Sequence, residues 1–294
     1  MFDIGFIIFN GLSWGMATFL VAAGLTLIFG ILHILNFAHG GFFMIGAYLA
    51  YTIMATIGDG LPIWLYIAVA LAAGVLVAGL GVIVDILIFR RLRGVEQAYV
   101  LIATYALLLV CVGAVQLAWG LNFMSVTPPS ALNSALFFGN LIMPTFTLFV
   151  IGCGVLVFVA LELFMSYTRT GQLIRVVAMD PWMARLLGLD VKKFYLITVV
   201  VSFALAGLAG GLLSANQSLS PELGGIFLLQ AFAVVVVGGM GSIRGAFLAA
   251  ILLGQIESFG SVLFPNYPGI FYLVALALIL LVKPEGLLGK EQPT

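Results

Sequence analysis

The chain has 294 residues, 64% of them hydrophobic and 7% charged, with a formal net charge of zero. A soluble domain averages about 45–50% apolar and about 25% charged residues, so water is excluded as the main solvent. Nothing in the charge balance points to a nucleic-acid partner or an acidic substrate surface.

A bilayer core asks for about 20 mostly apolar residues per crossing helix, each bonding its own backbone. No Asp, Glu, Lys or Arg lies between Asp3 and Asp59, or between Glu96 and Glu162. Each interval accommodates more than one crossing. The first apolar stretch, from about Gly5 to Leu35, has no short leader and cleavage site ahead of it and is too long for a signal peptide, so it is expected to stay in the mature protein.

Spans are predicted at 5–31, 39–57, 63–89, 97–119, 145–167, 194–214, 227–240, 246–264 and 269–282. The segment Leu32 to Ala38 reads as a loop or as a break inside the membrane, which leaves eight or nine crossings. The basic residues cluster at Arg90, Arg91 and Arg93, at Arg169 through Lys193, at Arg244, and at Lys283 with Lys290. By the positive-inside rule these places face the cytoplasm. The loops at 58–62, 120–144, 215–226 and 265–268 carry no Lys or Arg and take the opposite side. The fold expected is all-α: a polytopic transmembrane bundle in one domain, 1–294, with a cytoplasmic loop at 168–194.

Spans 227–240 and 269–282 have fourteen residues each, about 21 Å at ~1.5 Å per residue and short of a full crossing. Short segments bounded by Gly or Pro point to broken helices that line a transport site. His39-Gly40-Gly41-Phe42 and Arg244-Gly245-Ala246-Phe247 each open a helix rich in small residues, a faint internal repeat.

The soluble-looking segment Thr168 to Phe194 holds Asp180-Pro181-Trp182-Met183-Ala184-Arg185-Leu186-Leu187-Gly188. Asp180 suits a helix cap, Pro181 the first helical position and Gly188 the residue past the end. A helix of about two turns is predicted, its apolar residues packing on the membrane face or in a partner's groove.

Polar groups inside spans are costly and face a pathway or the bundle interior; here they are Asn36, His39, Gln230, Gln255 and Glu257. Asn36 and His39 share a face if helical, where they line a path near a break or satisfy broken backbone. For Glu257 a structural or pore-facing hydrogen bond is favoured over a proton relay. Cys111 and Cys153 read as small packing residues. There is no phosphate-binding loop, since Gly289-Lys290 is followed by Glu291, and no Cys/His cluster with zinc spacing. No cofactor is expected.

Asn36-Phe37-Ala38-His39-Gly40, the Ala178–Gly188 loop, Gly238-Gly239-Met240-Gly241-Ser242 with Arg244-Gly245-Ala246, and Lys283-Pro284-Glu285-Gly286-Leu287-Leu288-Gly289 occur in that order. In this order the chain resembles the permease subunits of bacterial branched-chain amino acid ABC transporters. The resemblance implies an importer in the bacterial inner membrane. It would pair this chain with a second related permease, two cytoplasmic ATPase subunits and a periplasmic substrate-binding protein, and carry leucine, isoleucine or valine.

It also implies that Ala178, Asp180, Pro181, Met183, Ala184, Leu186, Leu187 and Gly188 dock on the ATPase. The path residues would be Asn36, His39, Gly40, Gln230, Gln255 and Glu257. The chain departs from the family pattern at Gly41, where an acidic residue is expected, and at Gln230, where Lys is expected. Rival readings keep the architecture with urea, short amides or other amino acids as cargo, or replace ATP with ion coupling or a channel; a membrane-embedded enzyme finds no nucleophile–base pair.

Overall fold

The computed structural model describes residues 4–58, 60–138 and 141–289; Asp3, Asp59, Lys290 and Glu291 of the sequence reading lie outside them. In chain order the helices are α1 (Ile4–Leu32), α2 (Ala38–Ile57), α3 (Ile63–Leu92), α4 (Gln97–Trp119), α5 (Thr145–Tyr167), α6 (Arg169–Met179), α7 (Pro181–Leu186), α8 (Val191–Leu213), α9 (Leu223–Gly238), α10 (Ile243–Leu263) and α11 (Phe271–Val282). Among the described residues, α1 to α5, α8 and α10 are long and apolar enough to cross a membrane, while α9 and α11 are shorter apolar helices. This is a multi-pass, all-α membrane bundle.

Every predicted span has its helix. Residues 33–37 form an irregular link in which His33 takes φ +54°, an uncommon conformation for a residue with a side chain. The Leu32–Ala38 segment is thus a non-helical link between α1 and α2. Two features had no sequence expectation: α6 itself, and a hairpin of β1 (Ala135–Phe138) and β2 (Leu141–Pro144), antiparallel with Ala135 opposite Pro144. Strand pairing there satisfies backbone that the helices leave open.

α1 is the axis of the bundle, buried continuously from Gly15 to Phe29. α4 and α5 are peripheral and present Ile102, Val110, Leu117 and Leu156 outward, as helices facing lipid do.

The helix ends gather on two faces. On one, Asp85 pairs with Arg90 and Arg93, Arg93 stacks 4.9 Å from the Tyr195 ring centroid, Glu162 pairs with Arg244, and the tail closes on α9 through Leu287 N to Val237 O at 2.7 Å. On the other, Trp119 Nε1 donates to Thr52 Oγ1 at 2.8 Å, and Met124 and Leu219 pair their backbones. Every described Lys and Arg therefore sits on one face, called the basic face below.

The packing repeats. α1 packs on α10 as α8 packs on α3, α1 meets α9 as α8 meets α2, and α1 also crosses α8 while α2 crosses α9. α1 runs toward the basic face and α8 away from it, so the quartets α1–α4 and α8–α11 are inverted repeats, an arrangement that recurs in transporters. Gly40 and Gly224 meet reciprocally: a methyl on Gly40 would strike Gly224 O, and one on Gly224 would come within 2.7 Å of Gly40 O. The repeat expected between His39 and Arg244 is thus displaced; the partner of the α2 start is the α9 start.

Candidate functional site

Two places combine unusual chemistry with strategic position. The first is the α1–α2 link. His39 and Asn36 are fully buried. His39 Nε2 lies 3.0 Å from Val21 O, halfway along α1, and Asn36 Oδ1 accepts from Ala38 N at 3.1 Å. Asn36 is in the link rather than in a helix, so the two residues do not share a helical face. Each keeps one buried polar atom without a partner among the described residues, Asn36 Nδ2 and His39 Nδ1. Such orphans are rare and call for an explanation.

Around them the backbones are drawn close. Ser202 Oγ of α8 donates to Gly24 O at 2.8 Å, and Thr104 Oγ1 of α4 donates to Leu35 O at 3.1 Å. Gly40 abuts Gly224. Gln230 is half-buried, six residues along α9 from that contact. Asn36, His39 and Gly40 therefore belong to one region, where α1, α2, α8 and α9 meet, and Gln230 lies farther along α9.

Gln255 and Glu257 do not join them. Gln255 Nε2 donates to Ile8 O at 3.0 Å, at the start of α1. Glu257 accepts from Gly269 N at 2.6 Å, Tyr272 N at 3.2 Å and Ser261 Oγ at 3.0 Å. Its carboxylate satisfies the open N-terminus of α11, where orphan N–H groups and the helix dipole both favour an anion.

The second place is the loop on the basic face. Thr168 caps α6 by accepting from Gly171 N at 3.0 Å. Asp180 Oδ1 accepts from Trp182 N and Met183 N, both at 2.9 Å, and Pro181 opens α7. Gly188 ends it at φ +79°, with Leu189 N bonded to Ala184 O at 3.0 Å. The helix is firmly bounded at both ends.

Its surface is inverted relative to a soluble helix. Ala184 is buried, Ala178 is half-buried against the bundle, while Trp182 is 65%, Leu186 62% and Leu187 68% exposed, with Met183 beside them. An uncovered apolar patch of this kind marks a contact with a partner or with a membrane.

A feature the sequence reading passed over is Asp85. It lies fully buried in a π-helical turn, Asp85–Phe89, within α3. It pairs with Arg90 Nε at 3.0 Å and with Arg93, which is how a buried charge is tolerated. The sequence signal is Asp85 followed at five and eight residues by Arg, a spacing that brings i and i+5 together only in a π turn.

The profile described as "Branched-chain amino acid transport system / permease component" matches residues 7–283. The chain is 32% identical to the high-affinity branched-chain amino acid transport system permease protein BraD of Pseudomonas aeruginosa, over 96% of this chain and 95% of that protein. It is 31% identical to LivH of Escherichia coli K12, the permease protein of a system of the same description, over 97% and 95%. To LivM of the same strain it is 28% identical, over 95% of this chain and 69% of that one. Among solved structures, a chain of PsaBC from Streptococcus pneumoniae, in complex with Fab, is similar at a TM-score of 0.50 and 12% identity, over 93% of this chain and 89% of that one; this likeness concerns the fold alone.

Proposed function

Since the chain belongs to the branched-chain amino acid transport permease family, we propose that it is the membrane-spanning subunit of an ATP-driven, binding-protein-dependent importer of leucine, isoleucine and valine in the bacterial inner membrane. Its basic face is cytoplasmic. Two ATPase subunits dock there, and a periplasmic binding protein delivers cargo to the other face. A second related permease completes the pore, a reading supported by the similarity of this one chain to both LivH and LivM.

The observation that carries the reading is α7, a helix capped at both ends whose apolar side chains are left uncovered on the basic face. Its caps make it a rigid lever, and Trp182, Met183, Leu186 and Leu187 offer the aromatic and aliphatic anchors that dominate interfaces. Closure of the ATPase pair would push on residues 178–188. α6, packed on α1 and α8, would pass the displacement to the crossing of the inverted repeats, and the two halves would rock between outward- and inward-open states.

At that crossing Asn36, His39 and Gly40 line the path, with Gln230 farther along α9. The spare polar atoms of Asn36 and His39 become donors or acceptors for the charged backbone of an amino acid when the helices part. Only that parting makes room for its apolar side chain, because the small residues there now hold the helices in contact.

Leu186→Asp/Leu187→Asp tests the docking. The complete importer should lose its co-purifying ATPase, and uptake should fall roughly tenfold or more, as expected for losing an interface anchor, with the permease still in the membrane at normal abundance. Full uptake with normal ATPase recovery would refute the reading.

A further inference from the structure

On the basic face, a cavity of about 840 Å³ lies between the end of α1, the end of α5, α6 and the turn at Gly239–Ser242. Its volume is within the range of small-molecule sites, roughly 300–1,000 Å³. The lining is of two kinds, and they are interleaved along the chain: Met165, Met179 and Met240 are apolar, and Glu162, Arg175 and Arg244 are charged.

The charged groups are only partly used. Glu162 Oε1 accepts from Ser166 Oγ at 3.1 Å, from Arg244 Nε at 3.0 Å and from Arg244 Nη2. Its Oε2 has no partner among the described residues. Arg175 makes one side-chain hydrogen bond there, to Ser166 Oγ at 3.2 Å, and the Arg244 side chain is 68% exposed. An ion pair this open contributes little to stability, so it opens readily to a ligand.

One carboxylate oxygen and two guanidinium groups with spare N–H donors, each with a methionine three or four residues away on the chain, match a zwitterion with an apolar tail. The ammonium would go to Glu162 Oε2, the carboxylate to Arg175 and Arg244, and the side chain to the thioethers, which adapt their shape to branched chains. A lipid phosphate or other plain anion fits less well, because Glu162 repels it.

We propose that this cavity is a second amino-acid site, taking a zwitterionic α-amino acid with an aliphatic side chain from the cytoplasmic side. The occupied site ties α5, α6 and the start of α10 together and holds α7 still, so accumulated cargo slows the importer. The ligand stabilises one state of the coupling loop at the expense of the other. The slowing rests on the importer reading above; the binding does not.

Two measurements test it. In inside-out proteoliposomes carrying the complete importer, with binding protein and labelled leucine in the lumen, unlabelled L-leucine outside should slow export several-fold. Leucinamide and isocaproate, each lacking one charge, should not. Arg175→Ala and Met240→Trp should escape the slowing. In equilibrium dialysis, the purified full-length chain in detergent should bind labelled L-leucine about tenfold more tightly than its Arg175→Ala variant, the loss expected for one charge-assisted contact.

Equal binding by the two proteins, no binding by either, or slowing by isocaproate as strong as by leucine overturns the site. Wild-type export untouched by outside leucine overturns its regulatory role. An importer that moves no leucine under any condition would sink the transport reading instead, and the dialysis would still decide the site.

Discussion

Glu257 shows how a costly residue becomes necessary. Its carboxylate takes three hydrogen bonds, two of them from backbone N–H groups at the start of α11. Glu257→Ala would strand those two donors at about 1–3 kcal/mol each, so thermal unfolding in detergent should come clearly earlier. Glu257→Gln keeps an acceptor and should lose less. Leucine uptake per folded molecule should hold in both; a normally stable Glu257→Ala protein without uptake would put Glu257 on the path.

Gly40 makes a contrasting case, because its worth lies in having no side chain. Gly40→Ala would drive a methyl into Gly224 O and should cost about 1–3 kcal/mol, the usual penalty of overpacking. Gly152→Ala, where nothing lies within 4 Å, should leave the amount of folded protein unchanged; equal abundance of the two variants by fluorescence size-exclusion chromatography would contradict the close crossing.

Both roles are decided by neighbours in space. A lone intramembrane acid reads from sequence as a pathway candidate, and only the return of the chain at Gly269 reveals what it caps. Asp85 is the same kind of case: it lies near the end of the 63–89 span, and its burial comes from packing.

At the scale of elements, α7 was legible down to its caps, because capping is local chemistry: Asp180, Pro181 and Gly188 specify the ends whatever surrounds them. Asp180→Ala removes the acceptor of Trp182 N and Met183 N and should cost about 1 kcal/mol locally. A flexible lever transmits poorly, so ATP hydrolysis should persist while leucine uptake per ATP falls. Unchanged stoichiometry in reconstituted importer would count against α7 as the coupling element.

The spans were legible too, since continuous apolar sequence and the placement of Lys and Arg are properties of the bilayer problem itself. α6 and the β1–β2 hairpin were hidden. α6 carries Arg169 and Arg175 among its apolar residues and reads as a soluble loop, while the four-residue strands are too short to show alternation. The link after Leu32 was hidden because Leu35 O is satisfied by Thr104 Oγ1 and His39 reaches back to Val21 O, contacts set by packing and not by the local sequence.

For the whole molecule, the inverted repeat supplies the mechanical idea. Two quartets of opposite direction cross at Gly40 and Gly224, so in the proposed mechanism a push on the basic face would tilt one against the other. The sequence carried only a trace of this symmetry, and it suggested a different pairing, because packing constrains small residues at crossings and little else. All of this supposes that the basic face is the cytoplasmic one.

Single-cysteine accessibility tests that supposition most directly, against native Cys111 and Cys153, one buried and the other half-buried. In intact cells from which the outer barrier has been removed, a membrane-impermeant maleimide should label Phe123→Cys, on the opposite face, and leave Arg185→Cys unlabelled until the membrane is opened. Labelling of Arg185→Cys from outside intact cells, with Phe123→Cys protected, would invert the molecule and contradict the account.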